Sequence, residues 1–212
     1  TTGGGIHLDG CSPTIVDCLF IDNQAGSGGG MRNNDSSPTL TNCRFESNTA
    51  TVHGGGMHNG FESAPTLDGC DFIDNEAANS GGAIFMRPNS RLNATNCRFE
   101  LNTAIFGGGI QDSGGNGAYI GCTFDDNIAS GTGGGLYLQS AQPTLVENCI
   151  FAGNIAQGTG GDGWGVGGGL RTIGGEVTIR GSRFEGNVAM GSSSDGIPPR
   201  GAAIDWGDSN EP

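Results

Sequence analysis

The chain has 212 residues and a net charge of -13, and glycine and proline supply 43 and 8 of them. That composition lies near the disordered class unless the glycines recur periodically. There is no lysine, which excludes a Walker A loop, a Schiff base and a catalytic lysine, and the nine arginines form no basic run of the kind that would neutralise nucleic-acid phosphates. Apolar runs are too short for a membrane helix, and no transmembrane segment is expected.

The predicted elements begin at Gly3-Gly4-Gly5-Ile6, the first copy of a G-G-[GA]-aliphatic motif. Its aliphatic residue recurs as Met31, Met57, Ile84, Ile110, Leu136 and Leu170, and more weakly as Ile204. A second short run follows each copy: Pro13-Thr14-Ile15-Val16, Pro38-Thr39-Leu40, Pro65-Thr66-Leu67 and Pro143-Thr144-Leu145, with looser copies at Leu92, Ala118 to Ile120 and Val177 to Ile179. The third element reads C-x-F-x-x-N-x-A, from Cys18 to Ala25 and onward, with Ser182 in place of Cys in the last copy. Its phenylalanines, Phe20, Phe45, Phe72, Phe99, Phe124, Phe151 and Phe184, lie 25, 27, 27, 25, 27 and 33 residues apart.

Three strand-like runs per repeat, without a sustained 3.6 period, predict an all-β fold. Each repeat of roughly 26 residues fits one coil of a single-stranded parallel β-helix, a solenoid of about seven to eight coils with three short strands each. The whole chain is then one domain, 1–212, and a segment of a longer solenoid. Its first repeat opens at the start of the chain and its last is cut short, so further coils or other copies of the chain are expected against its ends. Head-to-tail contacts of that kind propagate into a filament.

Cys and Phe two residues apart share one face of a strand and are expected inside, the phenylalanines as a stacked column. Asn23, Asn48, Asn75, Asn102, Asn127, Asn154 and Asn187 are expected at the bend, in a ladder that satisfies buried turn groups. Six column cysteines, Cys18, Cys43, Cys70, Cys97, Cys122 and Cys149, are read as buried free thiols, because in-register parallel side chains suit disulfide torsions poorly.

The pairing of Gly81-Gly82-Ala83-Ile84 with Phe72-Ile73-Asp74-Asn75 resembles the repeats of chlamydial polymorphic outer-membrane proteins. It is also similar to the repeats of large secreted right-handed β-helix proteins of the pectate-lyase-like superfamily. The resemblance implies right-handed coiling, an extracellular or cell-surface place in a bacterium, and a passenger or adhesin role.

Candidate chemistry is sparse. Asp125-Asp126 pairs two acids, but Asp22 and Asp74 fill the slot of Asp126 in other repeats, which makes it a solvated turn position. The Gly-His-Gly and Arg-x-Lys elements of β-helix polygalacturonases are absent from the sequence. No catalytic residue is assigned, and no cofactor is expected beyond calcium, for which Asp22, Asp74 and Asp126 supply oxygen ligands in turns.

The residue after each G-G-[GA]-aliphatic reads His7, Arg32, His58, Phe85, Gln111, Tyr137, Arg171 and Asp205. Alternation predicts that these point outward as one longitudinal stripe, suited to an extracellular polysaccharide or an acidic cell-surface protein. Two inserted loops, 157–167 and 190–200, fall at one corner of adjacent coils and carry Asp162, Trp164, Asp195 and Arg200. Loops on a rigid solenoid are natural binding sites. Two functions remain open: a non-enzymatic structural, adhesion or assembly protein, and a carbohydrate-binding or polysaccharide-degrading β-helix.

Overall fold

The computed structural model describes residues 3–139, 142–159, 165–190 and 201–207. Among them there are strands and no helices. The strands fall into four parallel sheets, one of eight strands and three of seven. One coil runs through Met57–Asn59, Thr66–Asp68, Asp71–Ile73 and Glu76–Ala77, and the next begins at Ile84–Met86. Each strand pairs with its counterparts one coil before and one coil after, as Phe72 does with Phe45 and Phe99.

A coil thus has four strands rather than the three expected. The C-x-F-x-x-N-x-A run is two strands, not one. Between them Asp22, Ser47, Asp74, Leu101 and Asp126 adopt φ between 50° and 56°, and Gly153 and Gly186 adopt φ 61°. One left-handed residue breaks the extended chain and redirects it into the next sheet. The same device turns the corner before each cysteine, at Asp17, Asn42, Gly69, Asn96, Gly121 and Asn148. The bend expected at the ladder asparagines therefore lies one residue earlier.

The interior is one continuous column. Phe45, Phe72, Phe99, Phe124 and Phe151 are fully buried. From Phe20 to Phe184 successive rings stack with centroids 4.5, 4.6, 5.3, 4.9, 4.6 and 4.6 Å apart. That step is the spacing of neighbouring strands, so each coil contributes one ring per level. Leu40, Leu67, Ala94, Tyr119 and Val146 line the second sheet, and Met57, Ile84, Ile110 and Leu136 the first. The register puts Val146, not Leu145, in line with Tyr119 and hence with Leu67. Leu145 follows Pro-Thr as Leu40 and Leu67 do, but it stands four residues before its cysteine rather than three. Spacing to the buried cysteine sets the face, and the Pro-Thr-Leu match does not.

The asparagine ladder saturates its amides. Asn75 Oδ1 accepts from Asn48 N and Asn48 Nδ2, both at 3.0 Å. Asn75 Nδ2 donates to Asn102 Oδ1 and to Phe45 O, again at 3.0 Å. The side-chain links continue from Asn23 through Asn127 and Asn154 to Asn187.

The glycine motif closes the coil. Gly81 has φ 63°, and a Cβ on Gly82 would lie 2.2 Å from Gly108 O and 2.6 Å from Thr103 O. Backbone of the following coil fills the space of a side chain there, so glycine is required.

Candidate functional site

The stripe lies on the sheet that runs from Ile6–Asp9 to Ile204–Gly207. Within Ile84–Met86 the outer residues join the core while Phe85 faces away from it. The expected solvated face is not what results. His58, Phe85, Gln111, Tyr137, Arg171 and Asp205 are all buried, Arg32 is half-buried, and only His7 is exposed.

A second column covers them. It consists of the residue just before each glycine motif: Ser27, His53, Ser80, Phe106 and Thr132, joined in register. The left-handed glycine turns the chain so sharply that this column and the stripe meet across an outer corner. His53 stacks on Phe85, with centroids 4.5 Å apart, and lies 6.4 Å from His58. Phe106 tilts against Tyr137 at 6.4 Å. Arg171 donates from Nη1 to Thr132 Oγ1 at 2.8 Å, lies over the Tyr137 ring at 5.6 Å and pairs with Asp205 at 3.9 Å. His53, Phe106 and Thr132 were not singled out in the sequence. Their constant place before the glycines was the available signal.

The corner is electrostatically distinct. Burial, then the Arg32 charge, pushes the His58 imidazole down to about 3, and burial with Arg87 lowers His53. Arg32 Nε, His53 Nδ1, His58 Nδ1 and Gln111 Oε1 are buried without a hydrogen-bond partner.

Asp22, Asp74 and Asp126 occupy the left-handed turn position on alternate coils, with Ser47 and Leu101 between them. Ser47 Oγ donates to Asp74 Oδ2 at 3.3 Å. Among the described residues no three His, Cys, Asp or Glu side chains are grouped closely enough to hold a metal ion. The Asp125 carboxyl is raised by burial and by the neighbouring Asp126. Asp162, Trp164, Asp195 and Arg200 lie outside the described residues. Of the cysteine column, Cys43 to Cys149 are buried free thiols and Cys18 is an exposed one; Cys11, off the column, is also exposed and free.

One buried acid had no sequence reading. Asp112 is fully buried; its Oδ1 accepts from Gly114 N and Gly115 N at 2.9 and 3.0 Å, and its Oδ2 from Tyr119 Oη at 2.8 Å. Burial pushes both its carboxyl and the Tyr119 hydroxyl up. It anchors a loop that replaces Pro-Thr in that coil, which is a structural task.

These ladders, in-register parallel sheets and glycine corners define a parallel β-solenoid. The family model described as "Right handed beta helix region" matches residues 1–128 and 75–205, and the chain belongs to that family. Comparison with curated proteins and with solved structures gave no match.

Proposed function

We propose that this chain is a rigid, non-enzymatic β-helical segment of an extracellular or cell-surface protein, serving a structural role in adhesion or assembly. The observation that carries this reading is the continuity of the asparagine ladder from Asn23 to Asn187. From Asn23 to Asn187 each coil is tied to the next by a ladder of amides that runs beside the aromatic stack, so the rod resists local opening. A stiff spacer that holds binding surfaces away from a cell needs that property, and a site that must open and close does not. Paired charges along one outer sheet, Arg44 with Glu46 and Arg98 with Asp71, suit a surface facing water.

The test couples retention and turnover. Beads carrying the chain should be retained by bacterial or host cell surfaces, or should recruit further copies of the chain. Acidic and neutral polysaccharides should remain uncut. Polysaccharide cleavage abolished by substituting an acidic residue would overturn the reading in favour of a degrading enzyme.

A further inference from the structure

We propose that the outer corner formed by Arg32, His53, His58 and Arg87 is a binding site for an oxyanion, the carboxylate, sulfate or phosphate group of a ligand. The inference does not depend on the structural role proposed above.

The fold brings these four side chains together from three successive coils. Arg32 and His58 are direct partners on the adjacent strands Met31–Asn34 and Met57–Asn59. His53 approaches His58 from the facing column. Arg87 leaves the next strand two residues after Phe85, on the same outward side, and its guanidinium lies over the Phe61 ring at 4.8 Å. It bears on both histidines electrostatically, as Arg32 does on His58.

Two independent observations point to a missing acceptor. Arg32 Nε, His53 Nδ1 and His58 Nδ1 are buried without a hydrogen-bond partner, and His58 is only 3% exposed. Arginine Nε–H is a donor only, so what it lacks is an acceptor, and each imidazole donates in its Nδ1–H tautomer. The second observation is charge. Arg44, Arg98, Arg171, Arg180 and Arg183 each pair with a carboxylate, whereas among the described residues Arg32, Arg87 and the exposed Arg91 do not. The chain carries 22 acidic residues against nine arginines, so the lack of pairing here is not a shortage of acids. A cationic corner with idle donors matches an oxyanion, which offers several lone pairs and charge-assisted hydrogen bonds.

The test follows the imidazole resonances of nitrogen-15-labelled protein at pH 7 during titration with sodium sulfate, sodium phosphate or sodium chloride at constant ionic strength. Sulfate or phosphate should produce saturable shifts at His53 and His58 but not at the exposed His7, and chloride should not. Arg32→Gln and Arg87→Gln should each weaken binding about tenfold, as expected for one lost charge-assisted hydrogen bond. Unchanged circular dichroism would show that both variants fold. Competition by a sulfated oligosaccharide or by phosphatidylserine vesicles then identifies the source of the group, and competition by neither leaves the free ion as the ligand. Shifts that do not saturate, that chloride reproduces, or that both variants retain at full affinity would overturn the proposal.

Discussion

The imidazole of His53 lies flat on the ring of Phe85, 4.5 Å between centroids and 15° between planes, although the two residues belong to different coils. This contact joins the strand that ends one coil to the strand that opens the coil after next, across two different sheets. It converts a row of outward side chains into a packed seam, and it explains why His58 beside it is buried.

The first prediction concerns acid. His58 is neutral in the folded chain down to about pH 3, against an ordinary value of 6.5. Its folded pKa is depressed, so below pH 6.5 the unfolded chain takes up a proton that the folded chain refuses. The stabilisation is complete above pH 6.5 and falls away as pH drops toward 3; at pH 5 the loss is about 2 kcal/mol. His53 acts with the same sign. Urea unfolding at pH 7 and pH 5 should show a stability difference that shrinks in His58→Gln, a residue the column already holds at Gln111. An equal difference in both proteins would contradict the burial of His58.

Asn75→Ala removes an amide that makes four hydrogen bonds and leaves Asn48 Nδ2, Phe45 O and Asn102 Oδ1 short of partners. Each buried orphan costs about 1–3 kcal/mol, so the loss should reach at least about 3 kcal/mol. Asn23→Ala, on a half-buried residue at one end of the ladder, should cost less. Equal denaturation midpoints for the two variants would mean that the ladder is not energetically continuous.

Phe72→Ala opens a void between two stacked rings, at 4.6 and 5.3 Å. A cost of roughly 3–5 kcal/mol is expected from other large-to-small core changes. Phe184→Ala, where the ring is only partly buried, should cost less. Chemical denaturation of both variants measures the contrast.

The column thiols should resist alkylation. The hydrogen bond to Cys149, followed by burial, pushes the Cys122 thiol up to about 12, and burial also raises Cys43; the same hydrogen bond lowers Cys149, which only its burial protects. Thiolate is the reactive form, so native protein at pH 8 should label rapidly only at the exposed Cys11 and Cys18. Peptide mapping before and after unfolding distinguishes them. Fast labelling at Cys97 in native protein would contradict the stacked interior.

Much of the fold was legible in the sequence because a solenoid repeats each physical requirement once per coil. The Phe, Cys, Asn and Gly-Gly columns are periodic for that reason, and spacing alone placed the phenylalanines and the cysteines from Cys43 to Cys149 on the inner face, while Cys18 is exposed. The number of strands was not legible. Nothing in F-x-x-N distinguishes an extended residue from the left-handed one before Asn75, since Asp74, Ser47 and Leu101 all serve there. The register of Val146 could be read only by counting from Cys149.

The candidate site was half legible. Alternation identified the stripe from His7 to Asp205 and its outward direction, because a strand period of two needs no tertiary information. Whether an outward side chain meets water depends on what lies across from it. The angle at which the glycine corner brings Ser27, His53, Ser80, Phe106 and Thr132 against the stripe is set by how the coils close on one another, with backbone carbonyls such as Gly108 O occupying the space above Gly82. The sequence by itself determined which residues stack. The tertiary structure decided which of the outward ones are covered, because burial at a corner is a property of two sheets and not of one strand.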